Sequence, residues 1–512
     1  MTLHLSTSVR MVDYLSMSVT CIAILIGIFY IWAKYKLNYW QRLGVPTLPT
    51  NILFGNFKDA VFLKVSAGFL LGRLYNEAKS DSPYLGIYVM QKPFLLLRDP
   101  KLIKQILIKD FNIFQDRWFS SRNRHDHMGS DNLFSLKNPE WKYLRSKLSP
   151  TFTSGKIKQL FGLMIETSDY LKSFLDKKFK DDATVVKSIE VKNMATMYTT
   201  DIVSSVAFGI SNNSFDEPTP EFYVRSRMQA TMSVKATFRF FCLFFFPGLG
   251  KYFRNSFFGE NTDYFRSVFW SSMNAREKAK VERGDIIDSL LKLKNGEQET
   301  NFKFEGDTLV AQSAIFFVAG LESSATTMSF ALWELARHPQ IQKRLRAEIH
   351  QCLEKNGLTY ESVNSMKYLM QVINETLRFY PPAPLLDRVA SEDYKIPDHD
   401  LVIKKGTVVY VPLPGIHMDP KYFPNPEKFD PDRFSDERKN EIETCTFMPF
   451  GEGPRICIGL RVGMLQTAVG LVKIVQDYEV SVNPQYQARV STRSIFTTPA
   501  DGIHLFFKKL AV

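Results

Sequence analysis

The segment Phe450-Gly451-Glu452-Gly453-Pro454-Arg455-Ile456-Cys457-Ile458-Gly459 constrains this 512-residue chain more than any other part of it. It joins a lone cysteine to a glycine-rich turn, a cation and the start of an apolar helical pattern. A thiolate on a metal has to be buried and held still. Glycines let the backbone approach the metal closely, and Phe450 can shield the sulfur from water. Arg455 suits a propionate, and thiolate ligation pushes electron density onto iron and favours O–O cleavage. A solitary cysteine is most simply a buried free thiol. Here Phe450, Gly453, Arg455, Cys457 and Gly459 fall together at the spacing F-x-x-G-x-R-x-C-x-G, which predicts haem b held by an axial Cys457 thiolate.

With 45% hydrophobic residues the chain can build a large core, and length alone does not choose between one domain and several. The five cysteines, Cys21, Cys242, Cys352, Cys445 and Cys457, are scattered and form no C-x-x-C pair. Neither a disulfide framework nor a zinc site is indicated, and a reducing compartment fits. The net charge of +12 is spread without a basic block, which argues against nucleic acid as a partner. An anionic membrane surface or an acidic redox partner fits it, and so does a merely solvated basic surface. Between Asp13 and Lys34 lie 20 uncharged residues, among them the run Ile22 to Trp32, about the length that crosses a bilayer. Ile31 and Trp32 stand where a cleavable leader has small residues, so the segment reads as a retained anchor. Lys34, Lys36 and Arg42 follow it, which puts the rest of the chain in the cytosol.

The expected organisation is an anchor at 1–34, a Pro-rich connector at 35–50 around Pro46 and Pro49, and one catalytic domain at 51–512. Helical periodicity covers Leu160 to Phe174, Asp307 to Arg337, Gln340 to Leu353 and Tyr368 to Phe379. Tyr84 to Val89, Phe94 to Leu97 and Thr407 to Val411 read as strands. The fold class is therefore mainly α with small β-sheets and an N-terminal transmembrane helix. Leu309 to Leu321 carries no charge, as expected for a helix buried through a domain; Glu322 then interrupts a run too short to be a second span. The stretch Phe238 to Gly248 is also too short to span, and reads equally as a dip into the membrane interface or as a buried wall.

The cysteine loop resembles that of a cytochrome P-450, and the resemblance covers nearly the whole chain. Ala319-Gly320-Leu321-Glu322-Ser323 resembles the family's A-G-x-[DE]-T segment, which implies an oxygen groove with Glu322 and Ser323 as the proton-handling pair. Serine in place of threonine loses the methyl that fixes χ1, so looser proton delivery and more peroxide are expected, unless the residue is a plain back-bonded serine. Glu375-Thr376-Leu377-Arg378 and Pro431-Asp432-Arg433-Phe434 resemble the family's E-x-x-R and P-x-R-F, implying a structural triad of Glu375, Arg378 and Arg433. Trp141 and Arg145 match its W-x-x-x-R, and with Arg388 and Arg455 they make the implied propionate set, while Phe450 covers the thiolate.

The resemblance is strongest to the insect microsomal branch that metabolises plant toxins and insecticides, through Asp116-Arg117 and Pro150 to Lys156. Trp118 stands where that branch has glycine, and its ring is expected to narrow or reshape the pocket. Substrate-facing positions implied are the loop Phe111 to Phe134, Ile315, Phe316, Ala319, Leu385, Leu386 and Ile495 to Thr497, mostly apolar, which suits a bulky hydrophobic small molecule. No G-x-G-x-x-G unit or flavin motif is present, so electrons come from NADPH-cytochrome reductase, with cytochrome b5 as a further partner. Lys142, Lys147, Arg438, Lys439 and Arg461 are expected to steer such an acidic partner. The endoplasmic reticulum membrane, with the catalytic part facing the cytosol, is the implied location. The competing expectations are a haem-thiolate isomerase or dehydratase acting on hydroperoxides, a biosynthetic monooxygenase of an internal hormone or lipid, and a membrane haem sensor or carrier.

Overall fold

The computed structural model describes residues 2–118, 126–180, 182, 184–230, 237–238, 242, 244–246, 252, 258–298 and 302–510. The chain opens with α1 (Thr2–Leu37), whose stretch Ser16–Leu37 is long and apolar enough to cross a membrane and is almost entirely unburied. Its far end is seated on the body of the protein. Ala33 and Leu37 are buried, and Trp40 packs against Gly86, where any side chain would overlap the indole. The Trp40 Nε1–H donates to the Ile87 carbonyl at 3.2 Å. The seat of the apolar helix therefore lies ahead of Pro46 and Pro49.

Next come α2 (Ala67–Glu77), the hairpin β1 (Tyr84–Val89) and β2 (Lys92–Leu97), α3 (Glu140–Leu148), α4 (Ser154–Lys178), β3 (Lys187–Glu190) and α5 (Val191–Val203). After further helices follow α6 (Gly306–Arg337), α7 (Pro339–Asn356), α8 (Lys367–Phe379), β4 (Leu385–Val389), β5 (Val408–Pro412), α9 (Leu460–Val475), β6 (Tyr478–Val482) and β7 (His504–Lys509). One sheet has the order β1-β2-β5-β4: β2 runs parallel to β5, pairing Leu95 with Val409, and β4 is antiparallel to β5, pairing Arg388 with Val409. β5 reads as an unbroken apolar run because it is central in this sheet and buried throughout. A second sheet, β3-β7-β6, brings the C-terminal strand beside Lys187–Glu190.

All four expected helices and all three expected strands form; most ends move by a residue or two, and the helix expected over Leu160 to Phe174 extends to Ser154–Lys178. β3, β4, β6 and β7 lie outside the segments that the sequence marks as strands. β4 carries Asp387 and Arg388 at its centre, which removes the apolar signal a strand in a sheet normally shows.

α6 is buried on every side from Leu309 to Ala336 except at Phe316, Val318, Ala319, Gly320, Glu322 and Ser323. It crosses α5 and α9. Its buried Gln312 is satisfied by accepting from the Leu133 N–H at 3.0 Å and donating to the carbonyls of Asp131 and Thr308 at 2.7 and 2.9 Å. One apolar core surrounds α6 and includes Trp141 and Leu321; another lies under the four-stranded sheet and includes Leu386 and Met448. The Cys457 loop lies where the two meet.

Candidate active site

Two glycines of the loop take conformations that other residues resist, Gly451 at φ 77° and Gly453 at φ 73°. A side chain at Gly453 would also overlap the Leu107 carbonyl. The turn closes with the Cys457 N–H donating to the Phe450 carbonyl at 2.9 Å and the Ile456 N–H to Gly453 at 3.0 Å. Cys457 keeps accessible surface although the loop encloses it. That enclosure pushes its thiol pKa up, opposed by the Gly459 N–H and by the positive charges of Arg145 and Arg117. The loop runs straight into α9, whose Gln466 Nε2 donates to the Gly320 carbonyl at 2.7 Å and also to the Ser324 hydroxyl. The cysteine turn is thereby tied to the one stretch of α6 that stays open.

Around the loop the structure gathers guanidiniums. Arg455 lies 4.1 Å over the Trp141 ring, donates to the Leu136 carbonyl at 2.9 Å, and is 3.6 Å from Asp116. Arg388 donates to the carbonyl of its neighbour Asp387 at 2.7 Å, and Arg117 stands 3.9 Å from the Asp387 carboxylate. The Nε and Nη1 of Arg455 and the Nε atoms of Arg388 and Arg117 are buried without partners. Burial and then the neighbouring Arg117 charge push Arg455 down to about 8 and Arg388 to about 9. Unpartnered buried cations call for an anion with several acceptor oxygens. A pair of propionates has that chemistry, and the residues present fit haem. Arg145 is half-buried, its pKa lowered by burial, with Cys457 as the opposing charge. Arg117 was read from the sequence only as a mark of kinship; its burial is what reveals it.

On α6, Ala319 is exposed although Ile315, Phe317 and Leu321 around it are buried, so its accessible surface faces the interior. Ser323 lies one turn on; its hydroxyl donates to the Ala319 carbonyl at 2.6 Å. Glu322 accepts from Lys192 Nζ at 2.9 Å and from the Thr498 hydroxyl at 2.9 Å. Neither Lys192 nor Thr498 could be found by spacing, because α5 and the C-terminal segment reach Glu322 only through the fold. Of the other expected lining residues, Ile315, Leu386 and Thr497 are buried, Leu385 and Ile495 are half-buried, and Phe496 is exposed. Phe316 packs edge-on against Phe152. Residues 119–125 of the expected substrate loop lie outside the described residues, as do 239–241, 243 and 247–248 of the Phe-rich stretch. In that stretch Phe244 and Phe245 are buried and Phe238 and Phe246 are exposed.

Glu375 and Arg378 form a fully buried pair at 2.8 and 2.9 Å, with Arg433 at 3.4 Å from the same carboxylate. Arg378 also donates to the carbonyls of His417 and Pro426 at 2.8 and 2.7 Å. His417, which the sequence did not single out, accepts from the Met448 N–H at Nε2 and meets the Arg378 carbonyl with Nδ1. It links this cluster to the residues leading into the cysteine loop. On the outer face Lys142, Lys147, Lys439 and Arg461 are exposed, and Arg438 pairs with Asp430.

A thiol on a glycine turn, a seat for a dianion and an open stripe on a buried helix are the parts of an oxygen-handling haem-thiolate enzyme. The pattern of the family described as Cytochrome P450 matches residues 48–507, and the chain belongs to that family. It is a monooxygenase of the kind that holds haem through an axial cysteine thiolate and draws on a redox partner. Cytochrome P450 6k1 of Blattella germanica is 42% identical, covering 95% of this chain and 96% of that protein. Probable cytochrome P450 6g2 of Drosophila melanogaster is 38% identical over 94% and 97%, and cytochrome P450 9e2 of Blattella germanica 35% over 94% and 95%.

Proposed function

We propose that this chain is a membrane-anchored monooxygenase that oxidises bulky apolar molecules, such as plant toxins and insecticides, with electrons from NADPH passed on by a separate reductase. The observation that carries this reading is the open Ala319–Ser323 stripe, tied through Gln466 to the turn that holds Cys457. When bound, haem supplies the activation of dioxygen. Cys457 Sγ would hold its iron, and Trp141, Arg117, Arg145, Arg388 and Arg455 would hold its propionates. Phe450 keeps water from the sulfur.

Glu322 has an ammonium on one carboxylate oxygen and a hydroxyl on the other, which suits a group that takes and releases a proton beside the stripe. Ser323 is the second hydroxyl in that region. Apolar side chains along Ile315, Phe316, Leu385 and Leu386 favour a substrate held by shape. The apolar run Ser16–Leu37 supports an anchor in the endoplasmic reticulum membrane, with the catalytic part, and so the exposed lysines 142, 147 and 439, on the cytosolic side where an acidic reductase docks.

The test reconstitutes the full chain with haem, reductase and lipid and follows NADPH, peroxide and products over a panel of apolar substrates and lipid hydroperoxides. Oxygenated products that require NADPH are expected. Conversion of hydroperoxides without NADPH or reductase would overturn the reading in favour of an isomerase or dehydratase.

A further inference from the structure

The end of α1 clings to the protein's own body. Between Ile31 and Asn38 only Ala33 and Leu37 are buried, and the buried Trp40 follows them at the spacing of one helical face. The backbone does not come apart ahead of this face: the Asn38 N–H donates to the Lys34 carbonyl and the Arg42 N–H to that of Asn38, both at 3.1 Å. Arg42 folds back over the Tyr35 ring at 4.0 Å and donates to the Tyr35 carbonyl at 3.1 Å. A loose tether makes none of these contacts.

What receives this face is the hairpin β1–β2, and α1 itself meets β2. The Trp40 backbone N–H donates to the Tyr88 hydroxyl at 2.9 Å, and its Nε1–H to the Ile87 carbonyl at 3.2 Å. The indole occupies the place of a side chain at Gly86, where a Cβ would overlap Trp40 Cγ. Gly86 has no positive φ, so the indole and not the backbone demands glycine there. The connector is bound as well: the Gly86 N–H donates to the Pro46 carbonyl at 2.8 Å, and Thr47 lies beside Gly86 as a parallel strand would. Across the sheet Gly86 pairs with Leu95, Leu95 with Val409, and Val409 with Arg388. The seat of the anchor and the guanidinium seat are thus the two ends of one row, about 14 Å apart at the usual strand spacing. Leu95 and Val409 between them are buried.

We propose that Trp40 is a lock that holds the anchor at one angle to the four-stranded sheet, and through that sheet sets the angle between the bilayer and the haem plane. The apolar helix then does more than tether the body. It keeps the exposed lysines 142, 147 and 439 at a constant height for a reductase held in the same membrane. This rests on the readings of α1 as a membrane anchor and of the Arg388 and Arg455 cluster as the seat of haem.

The experiment uses the full-length, haem-loaded protein in lipid as wild type, Trp40→Ala, Gly86→Ala, the double variant of these two, and Tyr88→Phe. Alanine at position 86 expels the indole from the opposite side of the joint; phenylalanine at position 88 removes only the hydroxyl. One nitroxide is placed on Cys21, exposed on α1, and one on the body through Lys101→Cys, also exposed, with Cys352→Ser in every protein. The distribution of distances between the two labels reads the joint. Linear dichroism in oriented bilayers reads the tilt of the haem.

Wild type is expected to give one narrow distance. In Trp40→Ala the spread should grow by about 15 Å, the reach of a freed tether of roughly eight residues, and the dichroism should fall towards that of a randomly tilted haem. Gly86→Ala should do the same, and the double variant no more than either, since alanine fits once the indole has gone. Tyr88→Phe should act in the same direction and less. A wild type as broad as Trp40→Ala, or a Trp40→Ala as narrow as wild type, would overturn the lock. So would additive effects in the double variant, which would mean that each change loosens the body separately. Broader distances with unaltered dichroism would overturn the part given to the sheet in setting the tilt. A chain that stays off vesicles breaks the anchor reading, while the same labels in detergent still decide whether Trp40 locks α1 to the body.

Discussion

Arg378 and Arg455 are both buried guanidiniums, yet one is saturated and the other starved. Arg378 uses all three of its nitrogens: Nε and Nη2 donate to Glu375, Nη1 to the carbonyl of His417, and Nη2 also to that of Pro426. Arg455 has one carbonyl at hydrogen-bond distance and a carboxylate 3.6 Å off, and its Nε and Nη1 point at nothing. Arg388 shares that condition. A folded chain keeps a buried charge only when something compensates it. The saturated Arg378 serves the fold, and the starved Arg455 and Arg388, gathered beside the cysteine loop, mark a seat for a ligand the chain does not itself supply. The pair separates scaffold from site without reference to any relative.

The comparison breaks most easily at Glu375. Replacing it by Gln leaves Arg378 and Arg433 buried without their carboxylate, and a loss of about 3–5 kcal/mol of stability is expected. Chemical denaturation should show the same loss with haem and without it, because the cluster answers to the fold alone. A Glu375→Gln protein as stable as wild type would remove the saturated half of the contrast.

Arg455→Met tests the starved half. Haem affinity should fall by about 1.5–3 kcal/mol, roughly 10- to 100-fold, as a charge-assisted bond to the bound anion is lost. Haem-free protein should lose no stability and gain some, since methionine removes an uncompensated cation from the interior. Equal destabilisation of the haem-free forms of Arg455→Met and Glu375→Gln would show that both arginines serve the fold.

Only some of this contrast is legible in the sequence. The cysteine loop can be read because its chemistry is written in adjacent residues: Gly451 and Gly453 for the turn, Arg455 for the anion, Cys457 for the metal. Trp141 and Arg145 are likewise one helical turn apart, and α6 announces itself by a charge-free run. Arg117 is different. Its role depends on Asp387, and the two meet only because the stretch before residue 118 pairs with β4, a strand whose own charged centre hides it. Lys192 and Thr498 reach Glu322 from α5 and from the segment before β7. His417 lacks any local signature, and its two bonds are made to residues brought near by tertiary packing. Local spacing reveals what a turn or a helix face can assemble; partners set by topology stay hidden.

His417 joins the saturated cluster to the cysteine loop, and pH can sharpen what that joint contributes. Burial holds its pKa down to about 3 from an ordinary 6.5, so the folded protein keeps it neutral. The unfolded chain takes up a proton below pH 6.5. Its stabilising contribution is therefore complete above pH 6.5 and is lost progressively as pH falls towards 3. The slope from this one group is up to about 1.4 kcal/mol per pH unit. Denaturation midpoints measured across that window should fall less steeply in His417→Asn than in wild type. Parallel curves would show that the histidine is not held neutral.

The smallest expected effect lies at Ser323, where the contrast between saturated and starved groups takes a milder form. The hydroxyl is not idle: it is turned back along the helix to Ala319, 2.6 Å away, and Glu322 beside it finds its hydroxyl partner in Thr498 instead. A serine can leave that bond by a single χ1 rotation, whereas threonine carries a methyl that confines χ1. In Ser323→Thr the hydroxyl should spend more of its time in one place. Product formed per NADPH consumed is then expected to rise about two-fold, the scale of a rotamer preference of ~0.5 kcal/mol, with peroxide release falling to match. An unchanged ratio would mean that the back-bonded serine takes no part in proton delivery, and would leave Glu322 with Thr498 as the pair that does.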